Sequence, residues 1–133
     1  MANIFGYNQV FTPNAETWFV DGYVEVGSNG YTVTTSPLPR EIASLSHDAT
    51  GTYTLKLAHC WNSLLFVDIK TELGLGPPAI LFTQIVSSNV GAAGTVDGEQ
   101  GVTFKLINTS GTAADLAPYS GFRVLMLLKR SSA

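Results

Sequence analysis

Apolar and polar residues alternate along much of the chain, with the two-residue period of a β-strand that buries one face. The alternation is clearest over 52–57, where Tyr53, Leu55 and Leu57 share one face, and it recurs over 102–106. No window long enough for a helix carries the i, i+3, i+4, i+7 apolar stripe. The predicted strands, about eight in all, are 17–26, 31–35, 42–47, 52–57, 64–71, 79–87, 102–106 and 121–130.

Turn-forming residues separate these strands. Asn29-Gly30 predicts a type I′ hairpin joining the first two strands, and 48–51 predicts a second tight connection. Residues 59–63 are expected to form one helical turn, and the small-residue loop 91–101 is expected to be mobile. Short strands with no room for crossover helices predict an all-β, antiparallel, jelly-roll-like β-sandwich.

The 133 residues suffice for one domain. We assign 17–133 to the sandwich and 1–16 to an N-terminal arm, because the arm mixes apolar with small polar residues too irregularly for a strand. The arm either reaches a neighbouring protein or packs on its own domain. Its candidate contact residues are Ile4, Phe5, Tyr7 and Phe11.

Composition excludes several classes of protein. Hydrophobic residues make up 45% and charged residues 13%, a balance that excludes disorder. A formal charge of -3 and the lack of a basic run argue against nucleic acid as a partner. Interrupted apolar segments and an N-terminus without a basic start predict neither a membrane span nor a secretory signal, hence a soluble protein.

Three predicted strand segments, 64–67, 79–82 and 124–128, are apolar on both faces. A two-layer sandwich buries one face of each sheet, so a loop, a subunit or a larger surface is expected to cover the other. The alternative is a closed barrel or coverage by the N-terminal arm. The candidate residues for subunit or core packing are Phe66, Phe82 and Met126.

Possible catalytic and metal-binding groups are sparse. Cys60 follows His59, but adjacent residues of an extended chain point apart, which favours a buried free thiol over a nucleophile. His47-Asp48 lacks the companion ligands of a metal site. Asp97, Glu99 and Asp115 lack the spacing of a calcium loop.

Polar strand faces account for the carboxylate pairs Asp68–Glu72 and Asp21–Glu25. We therefore predict no catalytic residue, no cofactor and no metal, and a protein that is not an enzyme. Some aromatic residues could stack on sugar rings, although core packing is the more frequent role of such residues. These are Trp18, Trp61, Tyr23, Tyr31 and Tyr119.

The order of motifs in the second part of the chain resembles small tailed-phage virion proteins. The motifs are a G-x-Y-T-L-x-L strand at 51–57, a turn with Leu-Leu at 61–65, a T-x-x-D-L loop at 112–116 and a final strand ending in Ser-Ser at 122–132. Among these virion proteins, the chain most resembles the jelly-roll capsid decoration proteins, also called cement proteins. The resemblance covers about residues 50 to 133.

This resemblance implies a homotrimer seated on the outside of a capsid, at threefold and quasi-threefold positions, with the major capsid protein as partner. Shell contact is then expected from the arm residues named above. The alternative expectation is a carbohydrate- or receptor-binding module of a tail fibre or adhesin, which would use exposed aromatic and amide side chains.

Overall fold

A computed structural model describes residues 17–72 and 81–130, which form two antiparallel β-sheets and no helix. The all-β prediction is confirmed. Seven strands lie in the described ranges. They are β1 (Thr17–Glu25), β2 (Ile42–Ala49), β3 (Thr52–Leu57), β4 (Ser63–Glu72), β5 (Leu81–Ser88), β6 (Gly101–Asn108) and β7 (Gly121–Lys129).

The strands are divided between a three-stranded sheet in the order β1-β7-β4 and a four-stranded sheet in the order β2-β3-β6-β5. Only β2–β3 and β5–β6 are consecutive neighbours within one sheet. Every other connection in this set passes from one sheet to the other. Two antiparallel sheets joined by repeated crossings form a β-sandwich.

The core lies between the layers and follows the alternation of the sequence. In β3, Tyr53, Leu55 and Leu57 are buried, while the residues between them reach the outer face. Tyr53 meets two further aromatic rings, with centroids 5.8 Å away in Phe104 and 5.1 Å away in Phe122. Offset and edge-on ring pairs of this kind add to the free energy gained by burying apolar area.

The predicted strand 31–35 and its type I′ turn are wrong. Gly30 has a φ of +83°, but Asn29 is not left-handed, as a type I′ turn would require. The Asn29 carboxamide oxygen instead accepts the backbone N–H groups of Tyr31 and Thr32, at 3.0 and 2.8 Å. Pairing with the end of β1 is reduced to an isolated bridge at Val26–Val33.

The predicted helical turn at 59–63 is also wrong, because tertiary partners take its backbone N–H groups. His59 donates to a Glu41 carboxylate oxygen at 2.9 Å, and Trp61 donates to the Gln100 side chain at 2.7 Å. Asn62 donates to the Lys129 carbonyl at 2.8 Å. The segment therefore bonds to three different neighbours instead of forming a helical turn.

Other boundaries agree with the sequence where the structure describes them. β2 ends at Ala49 and β3 begins at Thr52, which confirms the connection at 48–51. The arm with Ile4, Phe5, Tyr7 and Phe11 lies outside the described residues, as do the first two positions of the predicted strand 79–87.

Candidate interaction surfaces

The outer face of the three-stranded sheet carries an apolar row. Phe19 of β1 and Phe66 of β4 are both register partners of Leu127 on the central strand. Phe19 is 37% exposed and Phe66 50%. A bulge in β4 adds Leu65, which is 52% exposed. We call Phe19, Leu65, Phe66 and Leu127 the outer apolar patch.

Charged rows border this patch on both sides. On one side, Asp21 and Asp68 flank Leu125, and on the other, Lys129 lies between Thr17 and Ser63. The ion pair of Arg123 with Glu72, at 2.8 Å, lies further along the sheet. An apolar centre with a polar rim is the usual anatomy of a protein–protein interface.

A second set of exposed apolar side chains lies along β5. Phe82, Ile85 and Val86 are 57%, 38% and 54% exposed, and we call them the β5 edge patch. Phe82 pairs with Ile107 on the outer face, Ile85 pairs with the buried Phe104 on the inner face, and Val86 lies at a bulge, so the patch flanks the edge on both faces. The strand is at the edge of the four-stranded sheet and has no charged residue. Native edge strands usually carry charges that discourage pairing with another chain, so this edge is poorly protected.

The segments predicted to be apolar on both faces thus divide into two groups. Met126 is fully buried with Val124 and Leu128, so its role is core packing, and Leu125 and Leu127 are only half-buried. Phe66 and Phe82, in contrast, are exposed on the outer faces of different sheets.

Both tryptophans lie in one cluster at an end of the sandwich, with ring centroids 6.3 Å apart. Trp18 belongs to β1, and Trp61 lies between β3 and β4. The Arg40 guanidinium lies over the Trp18 ring, 5.3 Å from its centroid, and that of Arg130 over Trp61 at 4.7 Å. Together with Glu41 and His59, these residues line a cavity of about 230 Å³, which we call the tryptophan site.

Glu41 holds the tryptophan site in place. Its carboxylate side chain is 7% exposed and accepts the Trp61 indole N–H at 3.0 Å. It also accepts the backbone N–H of His59 and lies 2.9 Å from the Nδ1 atom of His59. A carboxylate only accepts, so Nδ1 carries a proton in this contact. Glu41 has a φ of 77°, in the left-handed region that few non-glycine residues adopt.

A neighbouring cleft of about 510 Å³ contains Cys60 and Gln100. The Cys60 thiol donates to the Thr95 carbonyl at 3.3 Å, whereas the His59 ring contacts Glu41. The prediction of a buried free thiol is right only in part, because Cys60 is free but half-buried. Gln100 is 2% exposed, and its side chain bonds both the N–H and the carbonyl of Trp61.

The acidic and histidine candidates do not converge. His47 bonds Asp115 at 2.9 Å, while Asp97 accepts the backbone N–H of Cys60 and Glu99 that of Val96. Across 17–72 and 81–130, no group of three or more histidine, cysteine or acidic residues could hold a metal ion. The register places Asp21 and Asp68 on either side of Leu125, on the outer sheet face.

The tyrosine candidates are dispersed. Tyr31 stacks on the His47 ring with centroids 4.3 Å apart, and Tyr119 is 48% exposed. Tyr23 lies beneath the Arg123 guanidinium, and partial burial, followed by the charge of Glu25, raises the pKa of its phenol. Of the five candidate aromatic residues, only Trp18 and Trp61 come together.

Sequence reasoning missed Arg40, Glu41, Gln100 and Arg130. These residues lie in three segments distant from one another in sequence, and only the packing of the segments at one end of the sandwich brings them near Trp61. Their signal in the sequence was weak: Arg40-Glu41 immediately precedes a strand, and Arg130 immediately follows one.

Comparison of the chain with protein-family models, curated proteins and solved structures yielded no match. Among the described residues, no helix has the length and apolarity that a membrane crossing requires.

Proposed function

We propose that this chain is a non-enzymatic structural protein of a tailed-phage virion, a cement subunit that binds the outside of the assembled capsid as a homotrimer. The phage context comes from the order of motifs in residues 50 to 133. The observation that carries the structural role is the outer apolar patch, where large side chains are about half exposed on one sheet face.

The patch offers free energy for association. Complete burial of a Leu or Phe side chain contributes about 1.5–3 kcal/mol, so covering the exposed halves of Leu65 and Phe66 contributes about 1 kcal/mol each. Asp21, Asp68 and Lys129 at the rim favour a partner of matching charge pattern.

Two separate apolar surfaces favour a ring over a face-to-face dimer. A cyclic trimer repeats a heterologous contact, in which one surface of each copy meets a different surface of the next. The outer apolar patch and the β5 edge patch are such a pair of different surfaces on different sheets. In the proposed trimer, the outer apolar patch of each copy contacts the β5 edge patch of the next copy.

The stabilising mechanism is mass action. A subunit that binds the assembled lattice, and not its separated parts, stabilises the lattice by RT ln(1 + [L]/Kd) at every site. The arm residues Ile4, Phe5, Tyr7 and Phe11 make the contact with the major capsid protein in this proposal. Summed over many sites, modest contacts resist the outward pressure of the packaged genome.

Light scattering tests the trimer. With a chain of 14.2 kDa, three copies have a mass of about 43 kDa, and we expect this mass for the unmodified protein. Phe66→Thr and Phe82→Thr each remove one apolar surface and should shift the protein to monomer. The matched control is Val96→Thr, since Val96 is 60% exposed in a loop outside both patches and should leave the trimer intact.

Co-sedimentation tests the capsid contact. Capsids from a tailed phage that encodes the chain, with its gene deleted, are mixed with purified protein and pelleted. The proposal predicts saturable binding and a higher disruption temperature of the particles. A monomeric protein that never pellets with these capsids contradicts it.

A second candidate function is a carbohydrate-binding module, and the tryptophan site favours it. Half-exposed Trp18 beside two guanidinium groups offers aromatic surface and hydrogen-bond donors within one cavity. A glycan array distinguishes the two candidates: saturable sugar binding that Trp61→Ala abolishes, together with no capsid binding, favours the module.

A further inference from the structure

We infer that the tryptophan site binds an anionic sugar unit, a uronic acid residue of an acidic polysaccharide, through Arg40 and Arg130. This inference is independent of the capsid role, because the site is made of different side chains from those of the two apolar patches. Its basis is the charge, the ring contacts and the size of one cavity.

The charge in the site is unbalanced. Among the described residues, no carboxylate forms a salt bridge with Arg40 or Arg130, and both side chains are exposed. Glu41 is the acidic residue lining the cavity, and its oxygens are already occupied by His59 and Trp61. Within 17–72 and 81–130, the cavity therefore presents two guanidinium groups that form no ion pair with a carboxylate.

The ring contacts hold these guanidinium groups in an orientation that suits anion binding. Each lies over an indole face, so the rings limit its freedom while leaving N–H groups for a ligand. A guanidinium binds a carboxylate with paired hydrogen bonds, which are among the strongest in proteins. Two such groups beside one cavity match a carboxylate better than they match a neutral sugar.

Size and surface favour a sugar ring over a bare anion. A cavity of about 230 Å³ exceeds what a single carboxylate fills, and Trp18, 39% exposed, adds apolar surface for the C–H face of a ring. Glu41 and Gln100 fix Trp61 from both sides, so the site is formed before a ligand arrives.

The net charge of -3 disfavours nucleic acid, which places a dense row of phosphates along its backbone. A polysaccharide with one carboxylate in each uronic acid unit has a sparser charge and needs only this local pair of guanidiniums. An acidic peptide lacks the apolar ring face that Trp18 would contact.

Intrinsic fluorescence tests the inference directly, because both tryptophans of the chain lie in the site. The probes are short oligogalacturonate, oligomannuronate and hyaluronan fragments, each paired with its carboxyl-reduced neutral form, and a polyglutamate peptide. We expect a saturable fluorescence change with at least one oligouronate. We expect affinity at least about tenfold weaker for its neutral form and for polyglutamate.

Variants locate the contact. Arg40→Gln and Arg130→Gln should each weaken binding about tenfold or more, and Arg40→Lys should recover only part, because lysine cannot pair bidentately. Arg123→Gln, at the Glu72 end of the same sheet, should bind as the unmodified protein does. Circular dichroism checks that the variants are folded, which their exposed positions favour.

Several results would overturn the inference. They are the absence of any fluorescence change with oligouronates at about 10 mM, equal binding of the carboxyl-reduced forms, equal binding of polyglutamate, or unchanged affinity in both glutamine variants. A failure of capsid binding leaves these readouts unaffected, so the two proposals fail separately.

Discussion

Replacing Tyr53 by Phe tests how the core joins two loops of the sandwich. The buried Tyr53 hydroxyl donates to the Gly30 carbonyl at 2.9 Å and accepts the Leu116 N–H at 3.2 Å. Both backbone groups belong to buried residues. Phe keeps the ring contacts with Phe104 and Phe122 but leaves a carbonyl and an N–H without a partner. We expect a loss of about 2–3 kcal/mol in the free energy of unfolding near neutral pH.

The size of this loss should depend on pH. Burial, the largest cause, raises the pKa of Tyr53 from 10.0 to about 12. The hydrogen bond from the Leu116 N–H is the next largest influence and lowers the pKa, and the charge of Asp115 raises it by less. Between these values the unfolded chain has released the phenol proton while the folded chain holds it, so stability falls as pH rises. The difference corresponds to about 3 kcal/mol, present in full below about pH 10 and lost by about pH 12.

Tyr53→Phe has no such phenol, so the stability gap between the two proteins should narrow as pH rises. Urea unfolding followed by tryptophan fluorescence at about pH 7, 10 and 11.5 measures the gap, with Tyr119→Phe as the control for an exposed phenol. A gap that stays constant over this pH range, or one below about 0.5 kcal/mol near neutrality, refutes the reasoning.

Two further changes probe the loops. Gln100→Ala removes the side chain that bonds the N–H and the carbonyl of buried Trp61. It should lower the free energy of unfolding by about 2–3 kcal/mol and shift the tryptophan emission. The control Gln84→Ala, on the outer face of β5, should change neither. Gly51→Ala places a Cβ 2.7 Å from the Ala114 nitrogen at a φ of +73°. We expect the free energy of unfolding, measured by heat or urea, to fall by more than about 1 kcal/mol. The control Gly111→Ala has open space around the new Cβ, so it should show only the cost of its positive φ. Equal losses in the two variants would show that the close approach at Gly51 is unimportant.

The alternation of side chains was enough to predict the class of fold and the part of the core that β3 and β6 contribute. A strand presents successive residues to opposite faces, so the buried faces of these two strands could be predicted before any pairing was known. Met126 and Phe66 show the limit of that reading. Both lie in strongly apolar segments, yet Met126 is fully buried between the sheets and Phe66 is half exposed outside them.

Local rules failed where side chains, near in sequence or distant, accepted hydrogen bonds from backbone N–H groups. The Asn29 side chain took the N–H groups of its own turn, and Glu41 and Gln100 took those of His59 and Trp61. Turn and helix propensities reflect interactions between residues that are close in sequence. They do not account for a hydrogen-bond acceptor from a distant segment.

The sequence by itself determined that the chain forms strands and which residues of an alternating strand share a face. Only the tertiary structure decided which faces turn outward, and it alone placed Trp18, Arg40, Glu41, Trp61 and Arg130 around one cavity. The physical reason is that the side chains of one strand point to alternate faces with a two-residue period, which the sequence shows directly. The tryptophan site, in contrast, depends on which strand ends and loops, distant in sequence, lie next to one another in the fold.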